Sequence, residues 1–297
     1  MVWCGSPWVQ HAGCSSRYRP RAAVSRATQR AKPVHEQVFA LADVRWPEVG
    51  GIPRRVLVVP VGSLEQHGPH LPLDTDTRIA VAVARRASAG RVGIALAPAI
   101  TIGASGEHAG FPGTLSIGST ALTNCLIELG RHASRDWPAT LLVNGHGGNA
   151  DALAMAASRL ASEGRVCRVW QAGLPGGDAH AGRSETSIML ALAPQAVLLD
   201  AAAGNRLPIA DLMPALRSGG VRAVSPNGVL GDPCGASAAE GDRLLAELTE
   251  ALSRALQRLL DDIPVDGEGR SAPPSRDLGH HGEAPYGPGL AGRAEGL

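Results

Sequence analysis

The chain alternates short apolar runs with longer amphipathic stretches, and the runs tend to end in polar turns. Arg55 to Val61 is rich in valine, as expected of a strand buried on both faces of a parallel sheet. Arg91 to Ala97, Ala139 to Val143 and Arg165 to Trp170 read as three further strands. Helical patterns lie between them: about Thr77 to Ala87, with Ile79, Val83 and Ala87 at intervals of four, then Ser119 to Ser134, and Ala150 to Ser162. Asp74 or Thr75 is placed to cap the first of these, since a short oxygen side chain accepts the free amides of a first turn. A short helix is expected from Glu185 to Ala191, and a long amphipathic one from Ala236 to Leu260. Leu207 to Gly231, rich in Pro and Gly, reads as a loop or a small subunit contact.

Strand followed by helix, repeated, predicts an α/β fold with a mostly parallel sheet and helices on both faces. Such sheets bind their ligands at the carboxyl ends of the strands. Four polar clusters follow predicted strands, so the topology can bring them to one rim.

Composition narrows the partners. Only 3% of the residues are aromatic and the formal net charge is +1, which leaves little for base stacking or phosphate attraction and excludes nucleic acid as the expected partner. No run is long and apolar enough for a membrane span. The five cysteines, Cys4, Cys14, Cys125, Cys167 and Cys234, form no CxxC pair, and a reducing cytoplasm is expected. Residues 1–40 carry six Lys/Arg before any acidic residue and are read as a disordered basic extension or the product of a misassigned start. Residues 264–297 are read as a disordered tail, which leaves 41–263 as the folded domain.

The chemistry gathers in Gly62-Ser63-Leu64-Glu65-Gln66-His67-Gly68-Pro69-His70-Leu71-Pro72-Leu73-Asp74-Thr75-Asp76. Glu65 and His67 are two apart and share a side of an extended strand end, with Asp76 nine residues beyond His67. Two carboxylates and an imidazole suit Zn²⁺, Mn²⁺ or Fe²⁺, although any one of them alone could be a solvated or capping residue. His146 sits in the glycine-rich turn Asn144 to Asn149, which lacks the Lys-Ser/Thr of a phosphate-binding loop. His180 and Glu185 are five apart at a loop-to-helix junction. The segment from Gly103 to Thr114 reads as a pocket wall.

Together these three motifs, Leu64 to Asp76, Asn144 to Asn149 and His180 to Ser187, resemble the creatininase family of metal-dependent amidohydrolases. The resemblance runs from about Trp46 to Leu260. It implies a three-layer α/β/α fold, two divalent metal ions per subunit and a homo-oligomer. It also implies that Glu65, His67, Asp76 and His146 are ligands, with Asp76 shared. Creatininase itself has a glutamate where this chain has Gly148, and Glu185 is the candidate replacement, either as a ligand or as a carboxylate orienting His180. His180 is the expected proton carrier to the leaving nitrogen. Glu107, His108, Asn149 and Asp178 are the candidate substrate-binding residues. The loops Thr75 to Ala80, Gly103 to His108 and Gly176 to Gly182 are most similar to the branch that trims a modified precursor peptide in mycofactocin biosynthesis, releasing its C-terminal Val-Tyr-derived portion. A small-molecule amidohydrolase acting on a cyclic amide or formamide, and a metal-binding assembly scaffold without catalysis, are the competing readings.

Overall fold

The computed structural model describes residues 38–263 apart from residues 174, 175, 199 and 201. The expected basic arm up to residue 37 and the expected tail lie outside the described residues. Strands β1 (Val56–Val61), β2 (Ile94–Leu96), β3 (Ala139–Asn144) and β4 (Val166–Gln171) form one sheet in the order β2-β1-β3-β4, and every pairing is parallel. Seven α-helices accompany them among the described residues: α1 (Trp46–Gly50), α2 (Thr75–Ser88), α3 (Gly118–Ala133), α4 (Ala150–Ser162), α5 (Arg183–Leu192), α6 (Ile209–Val224) and α7 (Ala238–Asp262).

Alternation along the strands sorts the helices into two layers. Val56 and Val58 of β1, with Leu141 and Val143 of β3, pack on Ile79 and Val83 of α2, Ile188 of α5 and the leucines of α7. Their neighbours Leu57, Val59 and Leu142 face the other way, onto Leu122 and Leu126 of α3 and Leu153 and Leu160 of α4. All six residues of β1 are buried because both faces are covered, whereas β4, at the sheet edge, buries only Cys167. The three-layer α/β/α arrangement thus follows from which residues of each strand are apolar.

The strand order reverses beside β1: β2 lies on one side of it and β3 on the other. Crossovers then leave in opposite directions and open a crevice at the carboxyl ends of β1 and β3. The Gly62-to-Asp76 stretch and the Asn144-to-Asn149 turn both emerge there.

Two expectations need correcting. Asp74 occupies the cap position of α2 without capping it: its Oδ1 accepts from Arg78 Nε at 2.7 Å, and Thr75 Oγ1 donates to the Pro72 carbonyl. The Leu207–Gly231 region is mostly helix, not loop, since α6 runs through Pro214 and a kink at Gly220, where φ is 69°. Buried Leu212 and Val221, packed near Phe111 and Leu230, hold it in place against the breaking tendency of its Pro and Gly residues.

Helix α7 ties down the helix that carries Glu185. Ser237 Oγ accepts from Glu240 N at the α7 cap, while the Glu240 carboxylate accepts from Arg183 Nε at 2.8 Å and Ser187 Oγ at 3.0 Å on α5. Gly241 lets the two backbones touch, for a Cβ there would overlap the Ser187 carbonyl. Helix propensity favours Gly241→Ala by up to about 1 kcal/mol, but overpacking of this kind costs about 1–3 kcal/mol. The expected net result is destabilisation, read as a lower urea midpoint; a higher midpoint would show that α5 and α7 are not in close contact. Among the described residues no helix is long and apolar enough to cross a membrane.

Candidate active site and metal cage

Past β1 the chain folds back on itself, with Glu65 N bonded to the Leu73 carbonyl and Thr77 Oγ1 to the Ser63 carbonyl. That fold turns Glu65 and His67 inward, and α2 begins at the right height to point Asp76, its second residue, at both. All three are buried, with exposures of 2% or less. His146 enters from the end of β3, and its ring bridges the group: Nδ1 is 3.2 Å from Asp76 Oδ2 and Nε2 is 3.1 Å from Glu65 Oε2. His67 Nε2 lies 2.9 Å from Asp76 Oδ1. Glu185, in the first turn of α5, brings Oε2 to 3.9 Å from His67 Nε2 and accepts the Ala181 N–H through the same oxygen at 2.6 Å.

The electrostatics are those of a site short of positive charge. Neither oxygen of Glu65 has a hydrogen-bond donor in line with it, though both are fully buried. Burial, then the Asp76 charge, pushes the Glu65 carboxyl up. Burial opposes ionisation of Asp76 as well, but His67 and His146 outweigh it and hold that carboxyl well below the usual range. His67 would be lowered by burial alone; the Asp76, Glu185 and Glu65 carboxylates instead raise it to about 10. His146 is likewise driven well above the ordinary imidazole value, chiefly by Asp76 once burial is overcome. Both nitrogens of each of these rings face oxygen acceptors, His67 Nδ1 being 3.1 Å from the Glu65 carbonyl. Protons on these rings therefore occupy directions in which divalent cations would satisfy the same carboxylates.

The donors fit metal ions. Glu65, Asp76 and His146 place ligand atoms within 4.8 Å of one another, and so do His67, Asp76 and Glu185. Asp76 belongs to both groups. A third grouping joins Glu65 and His67 to His180.

The remaining sequence candidates separate. His180 is 7% exposed and close to the cage: its ring centroid is 4.3 Å from that of His67 and its Nδ1 is 3.8 Å from Glu65 Oε1. Burial, then the His67 charge, lowers it to about 4, so it is neutral at neutral pH. Its hydrogen bond goes to the Gln66 carbonyl and not to Glu185. Glu107 stands at the partly open side, with Oε1 3.3 Å from His146 Nε2 and a side chain 33% exposed. A Cβ on Gly148 would overlap that same Oε1 and His146 Nε2, so Glu107 fills the space that a side chain at position 148 would take. His108 lies behind the cage, 3.3 Å from Glu65 Oε1.

Asn149 and Asp178 differ from the substrate-binding expectation. Asn149 is fully buried, and its amide is committed to Gly62 O, Asn144 Oδ1 and Ala104 N, where it fastens three loops together. Asp178 is exposed, accepts the backbone N–H of Arg183 at the start of α5, and makes none of the cage contacts. Two residues of the opening motif proved more engaged than sequence reasoning allowed. Ser63 Oγ donates to Asp76 Oδ2 at 2.7 Å, and Gln66 touches both His108 and His180. The available signal was the position of Gln66 between two inward residues, where a buried amide must find partners.

The sequence model of the creatininase family, described as creatinine amidohydrolase, matches residues 42–256. The chain belongs to the creatininase family. It is 51% identical over 214 residues to the mycofactocin precursor peptide peptidase of Mycolicibacterium smegmatis, an alignment covering 70% of this chain and 86% of that one. To the creatinine amidohydrolase of Pseudomonas putida it is 32% identical over 180 residues, covering 49% and 67%. A solved structure described as creatininase Mn superposes with a TM-score of 0.59 at 25% identity, covering 75% of this chain and 98% of that one. A creatininase variant of the Zn-Zn type superposes at 0.61 with the same identity and coverage. The creatininase fold is thus shared, with a four-stranded all-parallel sheet carrying the cage.

The raised pKa values predict how cations should bind. His67 keeps its proton until the pH nears 10, so a cation ligated by its Nε2 must displace that proton. Binding of Zn²⁺ to the metal-free chain should release protons and tighten as the pH rises from 6 to 8. Calorimetry in two buffers of different ionisation enthalpy measures the release; tight binding without it would remove His67 and His146 from the ligand set.

Proposed function

We propose that this creatininase-family chain is a metal-dependent peptidase that releases the C-terminal Val-Tyr-derived portion of a modified mycofactocin precursor peptide. The observation that carries the hydrolytic reading is the buried carboxylate–imidazole cage whose Glu65 oxygens have no donor of their own. The substrate class is supported by the 51% identity to relatives named for that peptide. A cytoplasmic homo-oligomer is part of the same reading.

In this reading Glu65, His67, Asp76, His146 and Glu185 would hold two divalent cations, zinc, iron(II) or manganese, Asp76 belonging to both groups of donors. Bound there, the cations supply Lewis acidity that polarises the scissile carbonyl and acidifies the attacking water. The alternative role for Glu185, orienting His180, has less support, because the His180 ring hydrogen bonds to Gln66 while Glu185 faces His67 and Asp76. His180 starts the reaction neutral. Its Nε2–H is held by the Gln66 carbonyl and its Nδ1 is turned toward the cage, so it first accepts a proton from the attacking water and then delivers it to the leaving amine nitrogen. Glu107, at the open side beside His146, is the carboxylate best placed to meet the incoming peptide.

A small cyclic amide as substrate is favoured by the relationship to creatinine amidohydrolase. Gly148 and the position of Glu107 weigh against it, since the carboxylate creatininase has at that point cannot coexist with Glu107 as placed here. Mass spectrometry of the metal-loaded protein with a modified peptide ending in the Val-Tyr-derived portion, beside creatinine and formamides, separates the two. Release of that portion with no turnover of the small amides is expected; the reverse would assign the chain to small-molecule hydrolysis. His67→Ala should lose bound metal and reduce peptide cleavage by more than about 100-fold, because loss of a ligand exceeds the effect of losing a residue that only supports one. Two metals and undiminished cleavage in purified His67→Ala would sink the cage assignment.

A further inference from the structure

Gln66 lies between two cage residues in sequence, so its side chain leaves the loop on the opposite side and meets three other segments. Its Nε2 is 3.0 Å from the Gly228 carbonyl, 2.9 Å from His108 Nδ1 and 3.0 Å from His180 Nε2. Its Oε1 accepts the Gly68 N–H at 2.8 Å, and its main-chain carbonyl is 2.8 Å from His180 Nε2.

For neutral rings, the hydrogens of this network follow by elimination. The amide cannot be turned over, because its oxygen would then face the Gly228 carbonyl and its nitrogen the Gly68 N–H. One amide hydrogen must therefore go to Gly228. The Gln66 carbonyl can only accept, so His180 Nε2 carries a hydrogen and donates it there; that nitrogen can then take nothing from the amide. The second amide hydrogen is left for His108 Nδ1, which has to be bare. His108 consequently carries its own hydrogen on Nε2, 3.3 Å from Glu65 Oε1, and His180 presents a bare Nδ1, 3.8 Å from the same oxygen.

We infer that Gln66 is a positioning residue that fixes the tautomers of both histidines, its side-chain amide keeping the hydrogen of His108 on Nε2, the nitrogen nearer Glu65, and its carbonyl holding His180 with a bare Nδ1 toward the cage. The opposite His108 tautomer would set a lone pair against the buried Glu65 carboxylate. The opposite His180 tautomer would remove the atom that takes the proton in the proposed hydrolysis, and to that extent the inference rests on the hydrolytic reading. The surroundings are shaped to keep the amide in place. Gly228 has φ +81°, and a Cβ on it would overlap the Gln66 amide. The segment that offers the Gly228 carbonyl also pairs with the His180 backbone, through Leu230 O to His180 N at 3.2 Å and His180 O to Leu230 N at 2.9 Å. One amide thus aligns the motif loop, the His108 turn and the His180 segment bridged to Leu230.

The test uses the full chain labelled with ¹⁵N-histidine, metal-free and zinc-loaded, with His108→Gln and His180→Gln serving only to assign resonances. Imidazole ¹⁵N shifts should show the Nε2–H tautomer for both rings. In Gln66→Met, which keeps the length and removes the donor, His108 should move toward the Nδ1–H form while His180 stays as it was. Peptide cleavage by that variant should fall about 10–100-fold in kcat, with KM and metal content near those of the parent. An Nδ1–H tautomer for His108 in the parent protein, or an unchanged His108 in Gln66→Met, overturns the inference. Should Gln66→Met fail to fold, the parent spectrum decides alone. If the predicted tautomers are observed but no peptide is cleaved, the peptidase reading falls and the assignment of Gln66 as the tautomer-setting residue stands.

Discussion

Two carboxylates, Glu65 and Asp76, are buried together at the point where the sheet reverses its strand order. Charges removed from water are costly unless something of opposite sign compensates them nearby, and here the compensation comes from imidazoles and the cations they can share. Much of the architecture serves that arrangement. A fully covered central strand carries the motif inward, α2 starts where Asp76 can turn back on it, and β3 brings His146 alongside in parallel register with β1. Both carboxylates are themselves buried, Glu65 at 0% and Asp76 at 2% exposure.

The same constraint explains the division of labour among the histidines. His67 and His146, between carboxylates, are drawn toward the protonated state, while His180 and His108, buried beside other imidazoles, are held neutral. Residues of one type within a few ångströms thus acquire different chemistry from their neighbours alone. The two pairs of rings are told apart by what surrounds each of them.

Much of this was legible in the sequence because local pattern and tertiary role agree. The valine run, the spacing of Ile79, Val83 and Ala87, and the glycine-rich turn after β3 lead to the observed elements, and the α4 range from Ala150 to Ser162 was read without error. The motif spacing also brought Glu65, His67, Asp76 and His146 to one point. Where the reading failed, distant contacts had overruled local signals. Pro214 and Gly220 mark a break in sequence, yet Leu212 and Val221 find a hydrophobic seat that keeps helix on both sides of the kink at Gly220. Asp74 is the local exception: it has the chemistry of a cap, but Arg78, four residues on, takes its carboxylate. Asn149 looked like a ligand for substrate because it is polar and follows His146; only the folded chain shows its amide closed off by Gly62, Asn144 and Ala104. Gln66 escaped notice for the complementary reason, as its partners lie 42, 114 and 162 residues away.

The anchoring of α5 by α7 makes the cage depend on distant parts of the chain. Glu185 reaches the cage from a helix whose position depends on Ser237, Glu240 and the close approach at Gly241, all of them in the last part of the described chain. A chain that ends before α7 lacks these contacts to the helix that carries Glu185. The motif loop and the His146 turn lie in the first half of the chain, so the arrangement around Glu185 joins segments from both ends of the described residues.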